Sequence, residues 1–448
     1  MDKPVVDSVA QGGKNLSHAS DAPYVVKVHS SPLDIDAAQW NALLATSDAP
    51  TPFMRHEYLA AMHSSGSATQ ANGWLAQFVS LYAADGKELL ASAPLYVKDH
   101  SYGEYIFDWA WARAYQEHGL HYYPKASVAV PFTPVPGTRY LAKNSALAAC
   151  LLREQLLFCE QKKLSSLHGL FISQSDKTVT DAAQFMTRQT VQFHWTNENP
   201  QAEKWRSFDE YLMGLAQDKR KKIRAERRKV ADAGISWKAS VGKDISQAEW
   251  AFFYRCYERT YLEHGNPPYL SPAFFDSMAS TMPENWVLFT AHFQNQPIAT
   301  SLIAASAYST TLSGQNYLPN DLPNDLPNSP SRCLPGSSLN KPQTATKVAY
   351  GRYWGALARV DSLHFEACYY QPLQWCIENG FTRFEGGAQG EHKMARGLLP
   401  AQCSSAHWLA HPQFADAVAR FLEREGAGIG DYLEHLEARN PYRRPHGS

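Results

Sequence analysis

The chain has 448 residues, 44% hydrophobic and 19% charged, enough apolar material for about two self-supporting domains and too much for a disordered chain. A formal net charge of −1 leaves any contact with nucleic acid to local clusters of charge. Seven Cys without a C-x-x-C pair argue against a disulfide scaffold or a zinc cluster, and no metal is expected.

Residues 1–22 are small and polar, lack the apolar stretch of a signal peptide, and read as a disordered leader. Nowhere do about 18 apolar residues run together as a membrane span requires, so a cytoplasmic location is expected. A strand, YVVKVH, and a helix, DAAQWNALL, come next, followed by a helix in FMRHEYLAAMHSSG that Gly66 ends. GWLAQFVSLYAA and KELLASAPLYVKDH alternate about the turn-like Asp85-Gly86-Lys87, a hairpin signal. SVAVPFTPVPG is a strand that breaks at a Pro/Gly turn. Asn144 caps the helix that follows, and SSLHGLFIS is a short buried strand.

The second half repeats the order. GISWKASV is a strand, SQAEWAFFYRCYERTYLEHG a helix, and NWVLFTAHFQNQPIATSLIAASA a hairpin turning near Asn295. VAYGRYWGAL is a strand, HFEACYYQPLQWCIENG a helix and FTRFEGG a strand. Strand, helix, hairpin, strand, helix, strand occurring twice predicts two similar α/β lobes, 23–190 and 191–440. The segment 314–347, rich in Pro, Asn and Ser, cannot continue a strand and is expected to be a flexible insertion.

Several stretches resemble the FemAB-like proteins, a group often labelled GNAT-family N-acetyltransferases or peptidoglycan biosynthesis proteins. They are FMRHEYL, PLYVKDHSYGEYIFDWAWARAY, YYPKASVAVPFTPVPGTR, RKKIRAERR, GRYWG, LHFEACYYQ and GAQGEHKMARG. The resemblance spans roughly residues 25–440 outside the insertion. It implies tandem GNAT-like lobes, each a mixed, mostly antiparallel sheet flanked by helices. It also implies acyl or aminoacyl transfer from a thioester or an aminoacyl-tRNA to an amine.

Such a transfer needs a base for the incoming ammonium and donors for the tetrahedral oxyanion. The loop FEGGAQGEHKMARG holds both kinds of group. Glu385, Glu391 and His392 are candidate bases, and Gln389, Lys393, Arg396 and backbone N–H groups are candidate substrate contacts. The plain alternative is that Glu391, Lys393 and Arg396 form surface ion pairs. On the preceding helix Glu366 and Tyr370 stand four apart on one face and are further candidates, whereas Phe365, Tyr369 and Leu373 form a core stripe.

GNAT proteins cradle acyl-CoA pyrophosphate in a loop at a helix N-terminus. Two partial matches exist: Arg352-x-x-Gly355, and Gly137, Thr138 and Arg139, of which the second is preferred because a helix follows. Neither match is complete, and acyl-CoA as co-substrate is what the resemblance implies. Alternation from Tyr102 to Asp108 predicts a strand with Tyr102, Glu104 and Asp108 on one face as an acceptor wall. Finally, 207–233 reads as one helix opened by the box SFDE. Its second half carries Lys219, Arg220, Lys221, Lys222 and Arg224, basic all round, suited either to solvent or to a polyanion: tRNA, a nucleotide-linked precursor or anionic lipid.

Overall fold

In the computed structural model, residues 24–199, 201–306, 347–388 and 390–443 are described. The predicted leader 1–22, Gln389, and the predicted insertion 314–347 apart from Lys347 lie outside them.

The first half runs β1 (Tyr24–His29), α1 (Ala37–Ala45), α2 (His56–Ser64), β2 (Leu75–Ala76), β3 (Phe78–Ala83), β4 (Leu89–Ala93) and β5 (Leu95–Lys98). It continues with α3 (Trp109–Glu117), β6 (Lys125–Val128), β7 (Leu141–Ala142), α4 (Ser145–Gln161), β8 (Ser166–Ile172), α5 (Gln174–Ala182) and β9 (Met186–Thr196). The second half opens with α6 (Phe208–Gly214), α7 (Gln217–Asp232), β10 (Ile235–Val241), α8 (Gln247–Glu263), α9 (Pro272–Thr281), β11 (Trp286–Phe293) and β12 (Gln296–Ala305). It closes with β13 (Val348–Ala356), α10 (Leu363–Phe365), α11 (Gln371–Glu378), β14 (Arg383–Ala388), β15 (Leu399–Leu409) and α12 (Pro412–Ala438). Local chemistry explains several boundaries. Asn144 accepts from the Leu147 N–H at the start of α4, and Ser246 and Glu249 form a reciprocal capping box on α8. Gln294 and Asn295 both take positive φ, the twist a two-residue hairpin turn needs between β11 and β12.

The two halves have one topology. In the second, β10, β11, β12 and β13 form an antiparallel ladder, and the chain then crosses through α10 and α11 to lay β14 parallel to β13. In the first, β1, β3 and β4 are antiparallel, β5 prolongs β4 past Pro94 to pair with β6, and α4 carries the chain to β8, parallel to β6. This is the pair of similar α/β lobes expected from the repeated element order.

What joins the halves is an exchange of closing strands. The strand that ends the second half, β15, pairs with β8 of the first, while β9 of the first pairs with β14 of the second. β9 and β15 also pair with each other from Leu399↔His194 to His407↔Met186. Among the described residues one 11-stranded sheet therefore runs through both halves, with a separate 4-stranded sheet of β1, β3, β4 and β7 at the side. The core crosses the junction as well: Phe53 meets Tyr350 edge to face at 5.2 Å, and Tyr58 meets Phe274 at 5.3 Å.

Three predicted elements differ. The helix 207–233 is two helices, because Leu215 is extended and fully buried, bridges to Tyr442, and is followed by Ala216, whose N–H donates to the Pro441 carbonyl at 2.8 Å. The basic helix α7 is not solvated all round, since Ile223, Glu226 and Val230 form a buried stripe. Residues 102–108 form no strand. The ladder stops at Lys98, and positive φ at Gly103 and Tyr105 destroys the alternation. Among the described residues no helix is long and apolar enough to cross a membrane.

Candidate functional site

The parallel pairing of β13 and β14 is short. Val348, Ala349 and Tyr350 stand opposite Arg383, Phe384 and Glu385, and the ladder ends there. Just beyond, β13 bulges: Tyr353 opposes Leu302 and Gly351 opposes Ile303, leaving Arg352 as the extra residue. A bulge bends its strand and re-aims a side chain. Between the diverging strands lies a cavity of about 220 Å³. Gly351, Arg352 and Tyr353 line it from β13, and Gly386 and Gly387 from β14. Tyr257 and Tyr261 of α8, with Tyr269, form another wall, and Tyr105, Phe132 and Pro134 of the first half close it.

Glu385 directly precedes the two lining glycines and is almost fully buried. Arg383 Nη2 approaches its Oε1 at 2.9 Å, whereas Oε2 has no hydrogen-bond partner. Burial raises its pKa to about 7, with Arg383 pulling the other way. The nearest base, His194 on β9, stands with Nε2 3.9 Å from Oε2, and burial together with Arg383 and Lys393 lowers its pKa to about 3. A neutral imidazole and a carboxyl group that titrates near neutrality thus face each other.

Lys393 donates from Nζ to the Gly387 carbonyl at 3.0 Å, so it holds the glycine turn that forms the cavity wall. Burial lowers its pKa to about 8. Gly386 has no room for a side chain: a Cβ there would lie 2.6 Å from the Leu398 side chain and 3.2 Å from the Phe193 carbonyl.

The other loop residues work differently. Glu391 is exposed, accepts from Tyr432 and Arg439 of the C-terminal segment at 2.9 Å each, and has a lowered pKa through those bonds. That pairing keeps it charged and engaged at the surface, which disfavours it as a base. His392 is also exposed and shares a 3.0 Å hydrogen bond with the Tyr369 hydroxyl. Arg396 is buried, stacks 3.6 Å over Phe365, and bonds to both carboxylate oxygens of Glu226 at 3.0 Å. Tyr370 donates to the same carboxylate. On the neighbouring turn, Glu366 accepts from Arg227 and Gln371, and burial raises its pKa. Glu366, Tyr370 and Arg396 therefore tie the basic helix to the loop. The π-helical turn Glu366–Tyr370 before Pro372 carries the first two toward α7.

The predicted cofactor loop is closed. Arg139 is buried and donates to the carbonyls of Leu170, Gly137 and Val135, while its own N–H and that of Tyr140 go to Asp176. Thr138 bonds to Asp48 and accepts from the Ala49 N–H. Gly137, Thr138 and Arg139 thus spend their polar groups inside the fold and have none left for a pyrophosphate. The second match fails for another reason. Arg352-x-x-Gly355 lies in β13, and a Cβ on Gly355 would sit 1.9 Å from the Cys256 carbonyl oxygen, so α8 packs directly on the strand.

The predicted acceptor wall divides. Tyr102 is exposed, whereas Glu104 and Asp108 are buried in a charge cluster with Lys125, whose Nζ lies 2.7 Å from Glu104 Oε2 and also contacts Asp108. Burial opposes the charge on Asp108, but Lys125 prevails and its pKa is lowered. Those two carboxylates hold the loop; Tyr105, placed by the sequence pattern on the opposite face, is the one that reaches the cavity. On α7, Lys221, Lys222 and Arg224 are exposed, with Lys219 and Arg220 half-buried. Arg224, Arg227 and Arg228 line a groove of about 410 Å³ beside Glu366.

The sequence reading missed His194 and the tyrosines of α8. Tyr257 and Tyr261 were visible as an i, i+4 pair, but nothing local marks which face of α8 meets a cavity.

A family described as FemAB-like, peptidoglycan biosynthesis/recognition, matches residues 31–317 and 337–444. No curated protein matches the chain. Among solved structures the chain is similar to L-PGS from Bacillus licheniformis, at 11% identity and a TM-score of 0.46, covering 86% of this chain and 97% of that one. It is similar to the C-terminal domain of a putative lysylphosphatidylglycerol synthetase from Agrobacterium fabrum, at 8% identity and 0.46, covering 87% and 96%. A tandem GNAT protein from the clavulanic acid biosynthesis pathway follows at 10% identity and 0.40, covering 86% and 98%.

Proposed function

The chain belongs to the FemAB-like family of peptidoglycan biosynthesis/recognition, and from that premise we propose that it is a transferase that passes an acyl or aminoacyl group to an amine at the divergence of β13 and β14. The observation that carries this reading is Glu385, a buried carboxyl group with one unpartnered oxygen and a pKa of about 7, next to the glycines that line the cavity. A general base works best when its pKa lies near the working pH.

Glu385 takes the proton of the acceptor ammonium, and the freed amine nitrogen forms a bond to the donor carbonyl carbon. The carbonyl oxygen becomes an oxyanion. When the intermediate collapses, the bond to the thiol sulfur or ribose oxygen of the donor breaks, that leaving group takes the proton held by Glu385, and the nitrogen gives up its second excess proton to solvent, leaving a neutral amide. Lys393 keeps the Gly387 backbone in place during these steps through its bond to that carbonyl.

The donor is an acyl-CoA-type thioester or an aminoacyl-tRNA. The exposed Lys221, Lys222 and Arg224 on α7 favour a polyanionic donor, and no pyrophosphate loop competes with them among the described residues. Anionic lipid headgroups are a further class of partner for the same face. Both donors are cytoplasmic metabolites, which sets the expected location.

The test is product formation. Purified protein is incubated with acetyl-CoA or with charged tRNA, together with a lysine-containing, nucleotide-linked cell-wall precursor, and the amide is sought by mass spectrometry. Amide formation that Glu385→Gln abolishes supports the reading. No amide from either donor, together with no calorimetric binding of either at millimolar or lower concentration, overturns it.

A further inference from the structure

Three arginines near the loop have carboxylate partners: Arg227 pairs with Glu366, Arg383 with Glu385, and Arg396 with Glu226. Arg352 does not. Its Nη2 donates to the Phe132 carbonyl at 3.0 Å and lies 3.4 Å from the Thr133 and Tyr353 hydroxyls, all neutral groups. Its Nε is buried without any partner. Its guanidinium carbon stands 5.1 Å from the ring centres of both Phe53 and Tyr353, in aromatic surroundings. Removing a cation from water without a counter-charge is unfavourable, and such a group is satisfied when an anion arrives.

The bulge at Arg352 aims this uncompensated charge at the cavity of about 220 Å³, whose remaining walls include four tyrosine side chains, Tyr105, Tyr257, Tyr261 and Tyr269. That volume is below the roughly 300–1,000 Å³ of sites that enclose drug-sized ligands, so a nucleotide does not fit and a fragment does. A planar guanidinium matches a planar carboxylate, and one positive charge balances one negative charge. A phosphate dianion would leave a surplus negative charge against tyrosine rings.

We infer that this cavity is a carboxylate subsite, taking the carboxylate-bearing end of a small acyl or amino-acid substrate on Arg352. This rests on the transferase reading for its place in the reaction, but binding is measurable without turnover.

The experiment uses the full chain and matched probes: N-acetyl-alanine of either hand, the corresponding N-acetyl-alaninamides, and inorganic phosphate. Calorimetry and ligand-induced shifts of the thermal midpoint are read together. At least one acid is expected to bind ten-fold or more tightly than its amide, and Arg352→Gln is expected to erase that preference. Arg352→Lys, which keeps the charge but loses the fork, should retain part of it. Glu385→Gln should keep the preference while losing transfer. The inference is overturned if neither acid binds at millimolar concentration, if acid and amide bind alike, if phosphate binds more tightly than both acids, or if Arg352→Gln keeps the preference. Should Arg352→Gln fail to fold, the wild-type comparison of acid with amide and the lysine variant still decide. An intact acid preference with neither transfer from nor binding of either donor overturns the transferase reading alone.

Discussion

Arg383 and Glu385 stand two residues apart on one face of β14, and the 2.9 Å contact between them engages only one of the two carboxylate oxygens. A fully paired carboxylate would be held in its charged form far below neutrality. Here burial outweighs the single guanidinium, and the group titrates near pH 7.

Glu385→Gln is therefore expected to lower kcat by on the order of a hundredfold or more, the usual worth of a positioned base, with the fold intact by circular dichroism. In the wild type, kcat/KM should rise with pH through about 7 as Glu385 ionises. Stability should move the other way. The folded-state pKa lies above the ordinary carboxyl value, so the native state binds more protons than the unfolded chain between the two, and stability falls as pH rises through that window. Denaturant titrations across pH 4–8, compared between wild type and Glu385→Gln, check the sign.

Glu391→Gln is expected to leave activity within about twofold of wild type, because its carboxylate is occupied at the surface by Tyr432 and Arg439. A loss as large as that of Glu385→Gln would move the base to the exposed end of the loop. Steady-state kinetics on the two variants side by side separates the assignments.

Arg396→Ala removes one member of a buried pair and leaves Glu226 with only the Tyr370 hydroxyl. The expected loss of stability is about 3–5 kcal/mol, read by urea unfolding. A double-mutant cycle with Glu226→Gln should show strong coupling, since the two changes remove the same interaction. Activity should fall with stability, because the pair holds the loop that carries Lys393 against α7.

Replacing Lys221, Lys222 and Arg224 together by Ser should change the thermal midpoint little, as all three project from the exposed face of α7. Against tRNA, a gel-shift series in salt is expected to lose roughly two of the units of slope in log Kd against log salt, if each side chain meets one phosphate. Unchanged affinity and slope would show that this face does not hold RNA.

Part of the candidate site was legible in local chemistry. The concentration of Glu, His, Lys, Arg and Gly at 384–397 marked the loop, because so many polar types and flexible positions seldom meet in an ordinary turn. Which of them would do what was not visible. Glu385 and Glu391 are both Glu in one stretch, yet one is buried on a strand of the sheet and the other is exposed to solvent, and only their surroundings separate them. Arg139 looked fitter than Arg352 to hold a phosphate, because a helix follows it. The first closes onto three carbonyls, while a bulge turns the second toward a cavity.

The element order, the hairpin at Asn295, the cap at Asn144, and hence the repeated α/β plan, were legible in the amino-acid sequence, because all of these depend on residues within a few positions of one another. The tertiary structure alone decided that β9 and β15 exchange between halves. Neither strand has a local pattern strong enough to identify it, and both are held by ladders to partners far away in the chain. It alone brought Tyr105, Arg352 and Gly387 around one cavity. Burial and counter-charge, which set the chemistry of Glu385 and Arg352, are properties of that assembly, and no single segment of the chain contains them.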